Sequence, residues 1–247
     1  MGMPKFFFDK IDMTQGQICL HGEDEKHIKT VLRAKEGEEL TLCDGEGMDY
    51  QCRISSLTDG VQLEILSKAP CETEPKTKIT LYQGLPKADK MELIIQKAVE
   101  LGAYSVVPVS TRRCVVKLDN KKAEKKVSRW QQIAESAAKQ SKRMLVPEVH
   151  SVMTFKEALA YAKELDVLLI PYELAKGMKE TKELIQAIEP GKSIGVFIGP
   201  EGGFEEQEVA DAMEAGAKPI TLGHRILRTE TAGLAVLSVL MFQLEDE

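Results

Sequence analysis

The chain has 247 residues, 43% of them hydrophobic and 29% charged, with a formal net charge of −6. That balance excludes an intrinsically disordered chain and fits one large or two small globular domains. No apolar run approaches the ~20 residues that span a bilayer, and Phe6-Phe7-Phe8 is too short for the apolar core of a secretory signal.

Residues 1–70 read as β-rich. Phe6-Phe7-Phe8 is a short strand candidate, and Ile28, Val31 and Leu32 at helical spacing predict a short helix over 24–33. Glu39 to Cys43, Tyr50 to Ile54 and Val61 to Ile65 then alternate as strands, with hairpin turns at Asp44-Gly45 and Asp59-Gly60. A small barrel is the natural way to bury such strands. From Ser67 the periodicity is lost, with two prolines and many charges, so a linker is expected at 71–78, between domains at 1–70 and 79–247.

From Ile79 strands and helices alternate. Strands are predicted at 79–82, 106–109, 167–170, 194–198 and 219–222. Helices are predicted at 89–101, 121–142, 155–165 and 179–188, after Gly203, and from Thr229 onward. Gly102 suits the residue after a helix C-cap, and Thr229 suits an N-cap. This alternation predicts an α/β fold with a mainly parallel sheet covered on both faces. The last helix, from Ala232 to Phe242, is apolar nearly all round, which demands burial on more than one side.

Two glycine-bearing turns follow strands close together in sequence: Gly199-Pro200-Glu201-Gly202-Gly203, and Gly223-His224-Arg225-Ile226-Leu227-Arg228. Open α/β sheets bind ligands at the carboxyl ends of their strands. The first turn matches neither GxxxxGK[ST] nor GxGxxG. An acid at Glu201 argues against phosphate and suits a hydroxyl, an amino group or a local cation. Lys87 and Lys90, where a strand gives way to a helix, could clamp a phosphate, and Tyr172 could pack on an adenine or merely cover the core.

Charge is unevenly spread. From Arg112 to Arg143 there are eleven Lys or Arg and three acids, a local excess of +8. Either a solvated basic helix or a face turned toward RNA would carry such an excess. The five cysteines, Cys19, Cys43, Cys52, Cys71 and Cys114, are odd in number and form no CxxC. Reduced thiols in a cytoplasm are therefore expected, without disulfides or zinc. His21, His27, His150 and His224 are scattered, so no metal is expected.

The two turns, the stretch Leu222 to Ala232, Gly84-Leu85-Pro86-Lys87-Ala88-Asp89-Lys90-Met91-Glu92, Gln96-Lys97, Glu100-Leu101-Gly102, Arg113, Lys117-Leu118-Asp119, Trp130 and Gln140 to Pro147 form an ordered series. In this the chain resembles SPOUT-class methyltransferases, and among them the bacterial family that methylates N3 of a uridine in 16S ribosomal RNA. His224 departs from the pattern, where relatives commonly carry Pro, and no chemistry is placed on it.

The resemblance implies a PUA-like RNA-binding β-barrel at 1–70 and a trefoil-knotted SPOUT methyltransferase domain at 79–247. It implies S-adenosylmethionine as cofactor, held by Ile198, Gly199, Pro200, Glu201, Gly202, Gly203, Leu222, Gly223, Ile226 and Leu227, with Thr231 and Tyr172. Arg225 and Arg228 are the expected catalytic cations, either stabilising the uracil ring or pairing with Glu201 or Glu230. Arg33, Lys87, Lys90, Arg113, Lys117, Lys122, Lys125, Lys126 and Arg143 are the expected RNA contacts. A homodimer acting on 16S ribosomal RNA or the small ribosomal subunit is implied. The alternatives are a SPOUT enzyme acting on another RNA such as tRNA, or a non-catalytic RNA-binding module.

Overall fold

The computed structural model describes residues 5–8, 13–14, 17–45, 47–71, 74–172 and 177–245. The chain forms two compact units, one of residues 1–74 with 138–146, the other of residues 75–137 with 147–247.

In the first unit six strands run β1 (Lys5–Phe7), β2 (Met13–Thr14), β3 (Gln17–Leu20), β4 (Glu39–Cys43), β5 (Met48–Ser56) and β6 (Val61–Pro70). They pair in the order β1-β4-β5-β6-β3-β2, with β1 parallel to β4 and the rest antiparallel. Tyr50, Cys52 and Ile54 alternate inward along β5, as a half-buried strand requires. The sheet curls around one apolar cluster that includes Phe6, Ile18, Leu40, Leu42, Ile54 and Leu63. Helix α1 (Glu23–Lys26) continues as a wider turn, His27–Val31, whose Ile28 plugs that cluster.

Segment 138–146 is bound into this unit by charge. The Lys5 ammonium group is buried against Asp49 at 2.8 Å and also donates to the Lys142 carbonyl. The Lys139 ammonium group pairs with Asp24 at 2.6 Å. Arg143, expected to face RNA, is instead 3% exposed, with its guanidinium bound by Glu74. A buried cation needs a partner this close to offset its lost hydration, so Arg143 braces the unit.

The second unit is built on β7 (Lys78–Gly84), β8 (Ser105–Ser110), β9 (Glu148–Val149), β10 (Met153–Thr154), β11 (Val167–Pro171), β12 (Ser193–Ile198) and β13 (Lys218–Ile220). All pair in parallel, in the order β10-β8-β7-β12-β11-β13, with β9 also on β8. The predicted strands all appear; β2, β3, β9 and β10, of four residues or fewer, were not anticipated. The helices are α2 (Lys90–Glu100), α3 (Asn120–Gln140), α4 (Phe155–Ala162), α5 (Met178–Gln186), α6 (Glu206–Glu214) and α7 (Thr229–Leu244). After α2, the Gly102 N–H donates to Val99 and the Ala103 N–H to Ala98, with Gly102 at φ 82°, the left-handed closure its sequence suggested.

The period of two along β7 separates the two cores. Tyr82 stacks on Phe197 with ring centroids 4.3 Å apart, in a cluster with Phe155 and Leu159 of α4 and Val209 and Ala212 of α6. Leu81 and Gln83 point the other way, toward Gly233 of α7. Helix α7 buries Val236, Leu237, Leu240 and Leu244, but Val239 is 50% and Phe242 91% exposed. The all-round burial expected of α7 is therefore incomplete in the single chain. Among the described residues no helix is long and apolar enough to cross a membrane.

Candidate functional site

In the second unit the predicted site residues gather where chain leaves the carboxyl ends of parallel strands. β7 leads to Leu85–Asp89, β8 to Thr111–Asp119, β11 to Tyr172, β12 to Gly199–Glu205 and β13 to Thr221–Arg228. A ligand at this edge can be met by backbone from several strands.

The first turn closes through the Gly203 N–H, which donates to the Pro200 carbonyl at 2.9 Å. Gly203 has φ 66°, and a Cβ built there would meet nothing within 4 Å, so this backbone faces open space. Behind the turn there is no such room. A Cβ on Gly84 would stand 2.7 Å from the backbone nitrogen of Pro200. The end of β7 and the first turn therefore touch backbone to backbone.

Neighbouring loops hold the turn. The Arg113 guanidinium donates to the Gly202 carbonyl at 3.0 Å. Glu208, 3% exposed, accepts from the Arg112 and Glu205 backbone N–H groups, each at 2.9 Å. This carboxylate caps α6 and ties the loop after β8 to the end of the turn. Acids in the first turn of a helix suit its dipole, and Glu208 does so here, although its tie to Arg112 lies beyond sequence spacing.

Thr229 departs from its expected place. Arg228 is the N-cap of α7 and Thr229 the first helical residue. Its hydroxyl donates to the Gly199 carbonyl at 2.6 Å and accepts from the Gln83 amide at 2.9 Å. Gln83 is fully buried and also donates to the Gly84 carbonyl. This chain of hydrogen bonds joins β7, the first turn and the start of α7. Breaking one link while leaving its partner buried costs about 1–3 kcal/mol. Sequence reading missed Gln83; its one trace was a polar residue ending an apolar strand.

The charges divide differently from expectation. The Glu201 carboxylate accepts from the Lys87 backbone N–H at 3.1 Å, and the Lys90 ammonium group stands 3.1 Å from it. The same ammonium group lies 3.2 Å from Glu230. Partial burial pushes the Glu201 carboxyl up, but its own backbone N–H, that of Lys87 and the Lys90 charge together hold it below the ordinary glutamate value. Glu230 is held low by its own backbone N–H, against some desolvation, and then by Lys90 and Arg228. Lys90 is held above the ordinary lysine value by Glu201 and then Glu230. Lys90, expected on RNA phosphate, is thus bound to two carboxylates.

Among the described residues no ion pair engages Arg225 or Arg228, and both side chains are exposed. The cation within ion-pair distance of Glu201 and Glu230 is Lys90, and the Arg228 charge acts on Glu230 only from farther away. Leu222, Gly223 and Leu227 are half-buried, Ile226 is 86% exposed, and Thr231 faces outward on α7. Tyr172 packs on the Phe155 cluster, and its N–H donates to the Ile220 carbonyl at 3.0 Å. Lys87, Arg113, Lys117, Lys122 and Lys125 are exposed, with Lys122 3.2 Å from Asp119; Lys126 is half-buried, 5.8 Å over the Trp130 ring. Arg33, in the first unit, is exposed at φ 54°. Among the described residues no three His, Cys, Asp or Glu side chains gather as a metal site.

Residues 73–241 match the family described as RNA methyltransferase domain, and residues 20–66 the RNA methyltransferase PUA domain. The chain is 37% identical to ribosomal RNA small subunit methyltransferase E of Bacillus subtilis, covering 98% of each chain. It superposes with a TM-score of 0.84 at 34% identity on the structure of that methyltransferase from Neisseria gonorrhoeae bound to S-adenosylmethionine, covering 98% of each. With a putative methyltransferase from Legionella pneumophila in complex with the same cofactor, the TM-score is 0.86 at 30% identity over the full length of both.

Proposed function

We propose, from the premise that this chain belongs to the ribosomal RNA small subunit methyltransferase E family, that it transfers the methyl group of S-adenosylmethionine to N3 of a uridine in 16S ribosomal RNA. The observation that carries the reading is the paired turns at the ends of β12 and β13, bound to one another through Thr229 and Lys90.

The residues present fit the cofactor. The open backbone beside Gly203 gives room for close approach of a ligand to the chain. Ile198 to Gly203 and Leu222 to Leu227 hold it, with Tyr172 and Thr231 at the margins. The sulfonium supplies an already activated methyl group, so the protein's work is binding, alignment and electrostatics. The uracil N3 proton must leave, and negative charge then spreads onto the ring oxygens. Arg225 and Arg228, exposed and with no ion pair among the described residues, donate to those oxygens. Glu201 and Glu230 are held as anions by backbone N–H groups and then by Lys90, and are correspondingly weak proton acceptors.

The trefoil knot belongs to the same reading, supported by the return of α7 across β7 and β12 to the first turn. So does a homodimer, supported by exposed Val239 and Phe242 on an apolar helix; a place in the cytoplasm rests on the family reading alone. RNA is met by Arg33 in the first unit and by Lys87, Arg113, Lys117, Lys122 and Lys125 in the second.

Calorimetric titration with S-adenosylmethionine, then mass mapping of nucleosides in treated small-subunit RNA, tests the reaction. Binding followed by N3-methyluridine is expected. A folded chain that binds no cofactor would be an RNA-binding module, and methylation confined to tRNA would move the substrate.

The basic helix carries its own prediction. Lys122→Glu with Lys125→Glu should weaken RNA binding and flatten its salt dependence, by roughly one unit of log–log slope for each phosphate no longer neutralised. An unchanged slope would make α3 merely solvated.

A further inference from the structure

We infer that Lys90 is a positioning residue that sets the spacing of the two cofactor turns by clasping Glu201 of one and Glu230 beside the other. The inference rests on the methyltransferase reading above and concerns what makes that pocket the right width.

Three independent features converge on this ammonium group. It stands 3.1 Å from Glu201 and 3.2 Å from Glu230, and these carboxylates lie on separate elements, the turn after β12 and the first turn of α7. The loop that presents it is strained: Ala88 sits at φ 55°, where a residue with a Cβ is disfavoured. That kink directs the Lys87 N–H to the same carboxylate, 3.1 and 3.4 Å from its two oxygens, one turn before Lys90. Finally, Lys90 is only 27% exposed, and the Glu230 side chain 18%. The clasp is thus partly shielded from water, where a charge pair is screened less than at an open surface.

The consequence follows from charge. Without the ammonium group two carboxylates face one another across the gap between the turns. Their repulsion pushes Glu201 from the start of α7 and widens the pocket. The inner tie, Gln83 to Thr229 to Gly199, is neutral and holds only the base of the turn. The tip, Glu201 to Gly203, has the clasp, the Lys87 N–H and the Arg113 hydrogen bond to Gly202.

The test is titration with S-adenosylmethionine of the full chain and of K90M, K90R, E230Q and K90M/E230Q, with a melting curve for each. K90M is expected to bind on the order of tenfold or more weakly, the size of a lost charged hydrogen bond. K90R should recover part of that, because a guanidinium reaches two carboxylates. K90M/E230Q should bind more tightly than K90M, since one of the repelling charges is gone; that non-additivity would not arise if Lys90 acted only by packing. Wild-type affinity in K90M overturns the clasp. So does a K90M that binds cofactor normally but loses RNA affinity, because Lys90 would then touch phosphate. Additive effects in the double variant overturn it as well. Failure of the wild-type chain to bind the cofactor would instead overturn the methyltransferase reading.

Discussion

Gly84→Ala is expected to cost more than about tenfold in cofactor affinity together with roughly 1–3 kcal/mol of stability, the usual penalty for overpacking a close contact. The added methyl would sit 2.7 Å from the Pro200 nitrogen and 2.7 Å from its ring Cδ. The neighbour is backbone on a short turn, so it cannot rotate aside as a side chain would. The first turn must shift, and the Thr229 and Arg113 hydrogen bonds to its carbonyls go with it. Gly233→Ala is the matched control. Its Cβ would meet Gln83, Ile198 and Leu81 at 3.6–3.7 Å, ordinary contact distances. It lies inside α7, where alanine is favoured over glycine by about 1 kcal/mol. That variant should keep its affinity and melt no lower than the parent. Calorimetry and thermal melts of the two side by side decide the matter. Equal affinity in Gly84→Ala would mean that the cofactor does not use the first turn.

Arg228→Lys is expected to lower single-turnover methylation by roughly 10²–10³, the range seen when one preorganised donor to a developing oxyanion is removed. Arg228 is the N-cap of α7, exposed, with no ion pair among the described residues. Its guanidinium can give two parallel hydrogen bonds in a fixed plane; lysine offers a point charge on a flexible stem. Because Lys90 rather than Arg228 clasps Glu201 and Glu230, the substitution should leave melting temperature and cofactor affinity nearly unchanged. Rates measured at saturating cofactor beside a melting curve separate the two roles. A stable Arg228→Lys protein with parental turnover would leave Arg225 as the cation at the reacting base. Joint loss of stability and cofactor binding would make Arg228 structural.

The elements of this protein are written in local pattern. Period two at Tyr50, Cys52 and Ile54, period 3.6 along α2, Gly102 beyond its end and the acids opening α6 each depend on neighbours a few residues away. So β12 and its turn, and the glycines at 199, 202 and 203, were legible without coordinates. The ordered motifs also carried the family resemblance, which no single spacing did. What meets across the chain was not legible. The sheet order sets β12 beside β7, bringing Gly84 to Pro200, residues more than a hundred positions apart. Gln83 drew no notice as a sequence position, yet it anchors Thr229, because α7 returns across β7. Lys90 and Arg143 looked like surface cations of a basic protein face. They are bound to carboxylates at Glu201, Glu230 and Glu74, two of them far along the chain. Sequence determines the charge and periodicity of each residue, since those belong to the side chain and its near neighbours. Only the tertiary structure decides which opposite charge stands within reach, since a partially desolvated ion is stable only where the fold supplies its partner.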